Sequence, residues 1–203
     1  MRVLGILITC AVLLAYGQAN GQVSQQVLEG VRVDEQSNTL WAVNKTKSRL
    51  LFSGNQGGEV FTGSFGEFDA VIDFNPDDLA KAKVDVIINM DSAEAGDAER
   101  TDALPGKDWF YVKKFPVAKF EAADFEHLGG DKYVVKGSLT IRDIRKKLDL
   151  PFTLKIENGN AVMDAKLTLN RTAYKIGTGM WASEAWVSHD IIVNIHLEAQ
   201  QNK

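Results

Sequence analysis

Alternation with a period of two runs through most of this chain, and it restricts the fold more than any other feature. Leu148, Leu150, Phe152, Leu154 and Ile156 fall on one face of an extended segment, while Lys147, Asp149, Thr153 and Lys155 fall on the other. Ala161, Met163, Ala165, Leu167 and Leu169 repeat the pattern against Asp164, Lys166 and Thr168. Val84, Val86, Ile88 and Met90 oppose Lys83, Asp85 and Asn89, and Val187, Ile191, Val193, Ile195 and Leu197 oppose Ser188, Asp190, Asn194 and His196. Side chains of a strand point to alternate faces, so each run reads as a strand with one buried and one wet face. Further strands are expected at 39–44, 48–53, 59–74, 117–125 and 132–141.

Turn signals separate these runs: Asn75-Pro76-Asp77-Asp78, Gly129-Gly130-Asp131 and Asn158-Gly159-Asn160, the last reading as a hairpin. In residues 59–74 the apolar parity becomes irregular near Gly66, which predicts a bulge or bend inside a long strand. Helices are expected to be short: one turn near Asp77–Lys81, and a longer piece from Asp97 to Leu104, stopped by Pro105-Gly106. About eight antiparallel strands, each with one apolar face, pack as a sandwich or close as a barrel. Long strands with an internal bend favour the barrel. Eight strands leave an interior that side chains can fill or that one small ligand can occupy.

The first residues bear on the compartment. Met1-Arg2 is a short positive start, Val3 to Tyr16 is an uncharged apolar run, and Gly17-Gln18-Ala19-Asn20-Gly21 is rich in small residues. That is the layout of a cleavable signal peptide, and the run is shorter than the roughly 20 residues a spanning helix needs. We therefore expect residues 1–21 to be a signal peptide and residues 22–203 to be one exported, periplasmic domain, with no stable membrane anchor after cleavage. The single cysteine, Cys10, lies in the apolar run, so no disulfide or thiol chemistry is expected of the mature part. Charge is mixed, with 23 Lys and Arg against 27 Asp and Glu, and no basic stripe marks a nucleic-acid binder.

Residues able to carry chemistry are sparse. There is no Gly-rich phosphate loop, no HExxH and no cysteine pair. The three histidines, His127, His189 and His196, lack the spacing that would converge three or four metal ligands, so no metal is expected. His196 lies on a polar face, His127 beside a turn, and His189 shares parity with the apolar face. Asp91, Glu94, Asp97, Glu99 and Asp102 form an acidic run that reads as a solvated helix and loop face, with a general acid/base pair as the sharper alternative. Aromatic residues at inward parity either pack as a dry core or line an elongated apolar tunnel. Composition leans towards the dry core and leaves both open.

Four stretches carry a family resemblance. FTGSFGEFDAVIDFNP at residues 61–76 is similar to G-x-F-x-x-F/W-x-x-x-I-x-F-D-P. AERTDALPGKDWFYVKKFPVAKF at 98–120 resembles R-D-x-x-L-x-x-x-D-F-F-x-x-x-x-F/Y-P-x-A-x-F. GSLTIRDIRKKLDLPF at 137–152 resembles G-x-L-T-I-x-G-x-T-x-x-V-x-L-P-F. LNRTAYKIGTGMW at 169–181 resembles L-x-R-x-x-F-G-I-G-x-G-x-W. In order and spacing these are the motifs of the YceI family of lipocalin-like polyisoprenoid-binding proteins, and with the closing strand they cover about residues 39–199.

The resemblance implies an all-β fold: an eight-stranded antiparallel lipocalin-like barrel with one or two short helices as a lid. It implies a periplasmic binding protein for a polyisoprenoid, quinone-like lipid or fatty amide, with no catalytic residue and no cofactor. On that reading Phe52, Phe61, Phe65, Phe74, Phe120, Ile141, Phe152 and Tyr174 form the wall. Leu104, Trp109 and Phe110 form the lid, and Asn55, Arg100 and Arg171 are polar candidates near an opening. Arginine suits a phosphate or carboxylate head because it donates two parallel hydrogen bonds, although a surface salt bridge is the ordinary role for Arg171. Three departures stand out: Ser53 to Gly58 lacks the histidine many members carry, Asp143 stands where a turn glycine is usual, and Lys175 follows Tyr174 where glycine is common. A homodimer is compatible with this reading. The competing functions are an exported structural or stress-related barrel with a filled core, and an enzyme using Asp97 or Asp102 on such a lipid.

Overall fold

Where the sequence alternates, the chain runs as strand. The computed structural model describes residues 39–202, and the signal-peptide reading, its boundary at residue 21 and Cys10 lie outside those residues. Eleven strands follow in order: β1 Leu40–Val43, β2 Arg49–Gln56, β3 Glu59–Phe65, β4 Phe68–Asp73, β5 Lys83–Asn89, β6 Ala93–Glu94, β7 Val117–Gly129, β8 Lys132–Ile141, β9 Ile144–Glu157, β10 Asn160–Asn170 and β11 Asp190–Gln201. One α-helix, α1, spans Ala98–Ala103.

Their pairing order is β1-β4-β5-β7-β8-β9-β10-β11-β2-β3-β6, every pair antiparallel, with β1 also paired to β11. That extra pairing closes the ring. β11 takes β1 through Val43↔Ala199 and β2 through Phe52↔Val193, so β1 and β2 lie in line along the same edge as one bent stave. β3 and β4 are likewise one stave, bent at Gly66-Glu67. Phe68 pairs with Ile88 and Phe65 with Ala93, and a single 3-10 turn at Met90–Ser92 takes up the slack opposite. There Gly66 N–H donates to Ser92 O at 3.0 Å and Asn89 N–H to Glu67 O at 3.0 Å. The barrel therefore has eight staves, and the predicted irregularity at Gly66 is its sharpest bend.

The alternation predicts which face is buried. Along β9, Leu148 to Ile156 are buried or half-buried at even numbers, while Lys147, Asp149, Thr153 and Lys155 are exposed. The apolar face turns inward and the polar face outward, the reverse of a barrel that spans a bilayer. Asn158-Gly159 turns the β9–β10 hairpin with both residues at positive φ, 51° and 75°. Asp97 caps α1, its Oδ1 accepting the Arg100 N–H at 2.8 Å, and the helix ends before Pro105 as expected. The turn expected near 77–81 is a 3-10 turn at Leu79–Lys81. Two further 3-10 turns, Arg171–Tyr174 and Gly179–Ala182, carry no periodic signal in the sequence. They occupy the segment before β11, which starts at Asp190 rather than Val187 as the parity implied; Val187 makes only an isolated bridge to Gln56.

One ladder is short. β9 and β10 pair from Glu157↔Asn160 to Phe152↔Ala165. Beyond that point β9 stays on β8 as far as Ile144↔Ile141, and β10 stays on β11 as far as Asn170↔Asp190. Among the described residues no register pair joins 144–151 to 166–170, and this part of the wall is a seam.

Candidate functional site

The inward face of the barrel does not fill its interior. At the end distant from α1, Trp41, Phe74, Ala82, Tyr133, Ala161 and Ala199 form a buried cluster with Leu79 packed on it. Trp41 Nε1–H donates to Phe74 O at 2.9 Å, and Phe74 meets Phe125 and Tyr133 edge-on, with ring centroids 5.5 and 5.9 Å away. Above this plug lies a chamber of about 230 Å³, walled by Phe74, Val86, Phe120, Phe152, Leu154 and other strand residues, with no polar atom exposed to it. A second chamber of about 220 Å³ lies beneath α1 and the loops, lined by Phe52, Phe61, Leu104, Trp109, Phe110 and Tyr174 among others. Phe65, Ile141, Leu169 and Val193 line both, and form the waist between them. An apolar cavity costs about 24 cal/mol per Å³ where its walls cannot collapse, so the deeper chamber, with no polar atom exposed to it, costs on the order of 5 kcal/mol if left empty. That is a large share of the stability of an ordinary domain.

The lid is fastened by arginines. Arg171, 3 % exposed, donates through Nε to Ser188 O at 2.9 Å, through Nη1 to Ile176 O and Gly177 O at 2.8 and 3.1 Å, and through Nη2 to Trp181 O and Val187 O at 2.7 and 2.8 Å. Those five carbonyls engage all five of its N–H groups. Burial pushes its pKa below the ordinary value while Glu184 acts the other way. Arg142, in the β8–β9 turn, donates to Trp109 O at 2.8 Å, to Lys107 O at 3.1 Å and to Lys175 O. Asp108 completes the tie: its carbonyl accepts the N–H of Gly177 and Thr178, and its carboxylate accepts the Thr178 hydroxyl at 2.8 Å. Trp109 packs on Trp181 with centroids 5.7 Å apart, under the Arg171 guanidinium at 5.8 Å.

These contacts correct two expectations. Arg171 is neither a surface salt bridge nor an anion clamp, because its donors are committed to backbone. Asn55 lies outside both chambers: its Oδ1 accepts the Gly58 N–H at 2.9 Å within the β2–β3 turn, and its N–H donates to Ser188 Oγ at 2.9 Å. The other residues expected in the wall and lid, Phe52, Phe61, Phe65, Phe74, Leu104, Trp109, Phe110, Phe120, Ile141, Phe152 and Tyr174, all line a chamber. So does Arg100. Its Nε donates to Ala95 O at 3.1 Å, its Nη1 to Gln56 Oε1 at 3.3 Å, and its Nη2 meets Asp97 Oδ2 at 2.5 Å, over the Phe61 ring at 5.7 Å.

Tyr174, 4 % exposed, has a hydroxyl without a hydrogen-bond partner among the described residues, and burial raises its pKa above the ordinary 10. Tyr174 is part of the lining of the lid-end chamber. Sequence reasoning passed over Gln56, Ile176, Trp181 and Val187 in this chamber. Trp181 was visible as the last residue of its motif; the others come together only through the irregular loop.

The histidines are locally bonded. His127 Nε2 lies 2.7 Å from Gly130 O with its ring stacked on Tyr133, His189 Nε2 lies 2.8 Å from Ala182 O, and His196 Nδ1 lies 2.7 Å from Asp164 Oδ1. In the acidic run, Asp97 serves as helix cap and partner of Arg100. Among the described residues no group of three or more His, Cys, Asp or Glu is placed to hold a metal ion.

An eight-stranded antiparallel barrel, hollow, apolar inside and roofed by a short helix and loops, is a lipocalin-like barrel. The YceI-like domain profile matches residues 41–199, and the chain belongs to the YceI family. Burkholderia cenocepacia BcnA superposes with a TM-score of 0.75 at 30% identity, over 78% of this chain and 99% of that one. A Campylobacter jejuni YCEI protein gives 0.63 at 27% identity, over 70% and 85%. A polyisoprenoid binding domain from Saccharophagus degradans shares the fold, with a TM-score of 0.65 at 13% identity, over 80% and 98%. A UPF0312 protein of Yersinia pestis is 40% identical over 88 residues, which is 43% of this chain and 45% of that protein. The match thus spans less than half the length of that curated relative.

Proposed function

We propose that this chain is a non-catalytic, periplasmic carrier of one long apolar chain with a small polar head. The observation that carries the reading is the pair of chambers joined at the Phe65–Ile141–Leu169–Val193 waist, the deeper one without an exposed polar atom and costly to leave empty. An apolar cavity of about 150 Å³ accepts a benzene ring, so the two chambers hold on the order of 18 carbons. Each isoprene unit buried gains roughly 3–4 kcal/mol gross, so a few units suffice for tight capture once ordering costs are met. A polyisoprenoid, a quinone-like lipid or a fatty amide fits this description.

The head is expected in the lid-end chamber. Its charged lining is Asp97, Glu99, Arg100 and Arg171, two of each sign, which offers no net positive charge for a diphosphate. Tyr174 and the uncommitted N–H groups of Arg100 favour a head with an acceptor oxygen and little charge. Lipid extraction of the purified protein followed by mass spectrometry tests the proposal. One long-chain molecule per chain is expected; a ligand-free protein that also takes up no prenyl or fatty probe would overturn it.

A further inference from the structure

The chambers need a way in, and three routes through the described residues can be weighed. The end away from α1 is plugged by Trp41, Phe74 and Tyr133, held in register by the Trp41–Phe74 hydrogen bond. The lid end is tied by the backbone contacts of Arg142 and Arg171 and by the Asp108–Thr178 pair. The third route is the seam, where residues 144–151 of β9 and 166–170 of β10 face each other without a ladder. Opening the first two means breaking buried hydrogen bonds and aromatic packing. Opening the seam breaks no strand pairing, because among the described residues no register pair spans it.

We propose that the seam between β9 and β10 is the port through which an apolar chain reaches the chambers. The inference rests on the carrier reading above and adds the route. Leu148 and Leu150 on one edge and Leu167 and Leu169 on the other all line the deeper chamber, and Leu169 also belongs to the waist. A chain passing between the edges therefore meets apolar side chains of both strands and arrives where the chambers join. Unpaired strand edges invite strand addition by other chains, and lysines on an edge oppose it. Lys146 and Lys147 on β9 and Lys166 on β10 are exposed beside the seam, which keeps it open to a flexible chain and closed to another strand.

The test is a reversible staple. If the Phe152↔Ala165 register continued, Asp149 would face Thr168, and both side chains point outward. In a Cys10→Ser background, Asp149→Cys/Thr168→Cys is compared with a lid staple, Asp108→Cys/Thr178→Cys, by stopped-flow uptake of cis-parinaric acid. The oxidised seam staple is expected to slow uptake at least tenfold, with thiol reductant restoring it, while the oxidised lid staple leaves the rate unchanged. Thr168→Cys carrying a bulky maleimide should slow uptake in the same direction, whether or not the seam disulfide forms. Uptake slowed by the lid staple, or unaffected by both seam modifications, overturns the port. Failure of the unstapled protein to bind any long-chain probe would count against the carrier reading instead.

Discussion

The guanidinium of Arg171 occupies the space a side chain at Gly177 would need. A Cβ on Gly177 would come within 2.1 Å of Arg171 Nη1, and the backbone there sits at φ +71°. The loop from Ile176 to Trp181 thus wraps around a buried cation and gives it carbonyls, and glycine alone lets it close that tightly. Gly177→Ala is expected to cost at least about 3 kcal/mol, since it combines a clash with positive-φ strain. Arg171→Met should cost as much, by leaving several buried carbonyls unpaired. Thermal and denaturant unfolding measure both, and an unchanged midpoint in either variant would remove Arg171 as the clasp of the lid.

Tyr174 gives the barrel a limit in alkali. Its folded pKa lies above the ordinary 10 because burial disfavours the phenolate, and Tyr133 is raised likewise, chiefly by burial. Below pH 10 both states hold these protons and stability is unaffected by them. Above it the unfolded chain releases them first and binds fewer protons than the folded chain, so stability falls as pH rises. Tyr174→Phe should lessen the loss as pH rises above 10 and leave neutral-pH stability within about 1 kcal/mol. It should also weaken geranylgeraniol binding roughly three- to tenfold, the value of one hydrogen bond, with little effect on a plain hydrocarbon of equal length.

The waist makes chain length a readout. Leu169 is shared by both chambers, and Leu169→Trp would fill the passage between them. Binding of alkyl probes to the native barrel should tighten with length and level off at about 18–20 carbons, as the estimated capacity implies. In the Leu169→Trp variant the rise should stop near half that length, with short probes bound as before. Isothermal titration across a length series reads this directly, and a plateau at the same length in both proteins would show that the chambers are not filled in series.

Most of the fold was legible because its signal is local. Alternation placed the staves of β9 and β10 and the buried face, and the parity break marked the bend at Gly66. Alternation could not show the seam, because a strand keeps its period whether or not its far edge is paired. Nor could it place the Arg171–Tyr174 and Gly179–Ala182 turns, whose order comes from tertiary contacts to one guanidinium. Arg171 misled for the same reason: it reads as a head-group candidate near an opening or a surface salt bridge, and only the returning loop makes that position buried. Asn55 misled because a polar residue beside Gly57-Gly58 has a turn to cap, and turn geometry takes its side chain away from the interior.

The departures from the family motifs fall on strained backbone. Asp143, where glycine is usual, sits at φ +61°, and Lys175 sits at φ +56°. A left-handed conformation costs an ordinary L-residue roughly 1–2 kcal/mol, less for Asp, whose short side chain bonds locally. Lys175 has no such relief: its side chain is exposed, and its part in the lid is its carbonyl, which accepts from Arg142 and which glycine would keep. Lys175→Gly is therefore expected to stabilise the barrel by up to about 1 kcal/mol, after the greater unfolded-state entropy of glycine is set against the relieved strain. For a domain of this size that is a rise of roughly 2–4 °C in Tm. Asp143→Gly should gain less. Differential scanning calorimetry of the two variants separates these expectations, and a fall in Tm for Lys175→Gly would mean that the lysine side chain supports the lid by a contact that outweighs the strain.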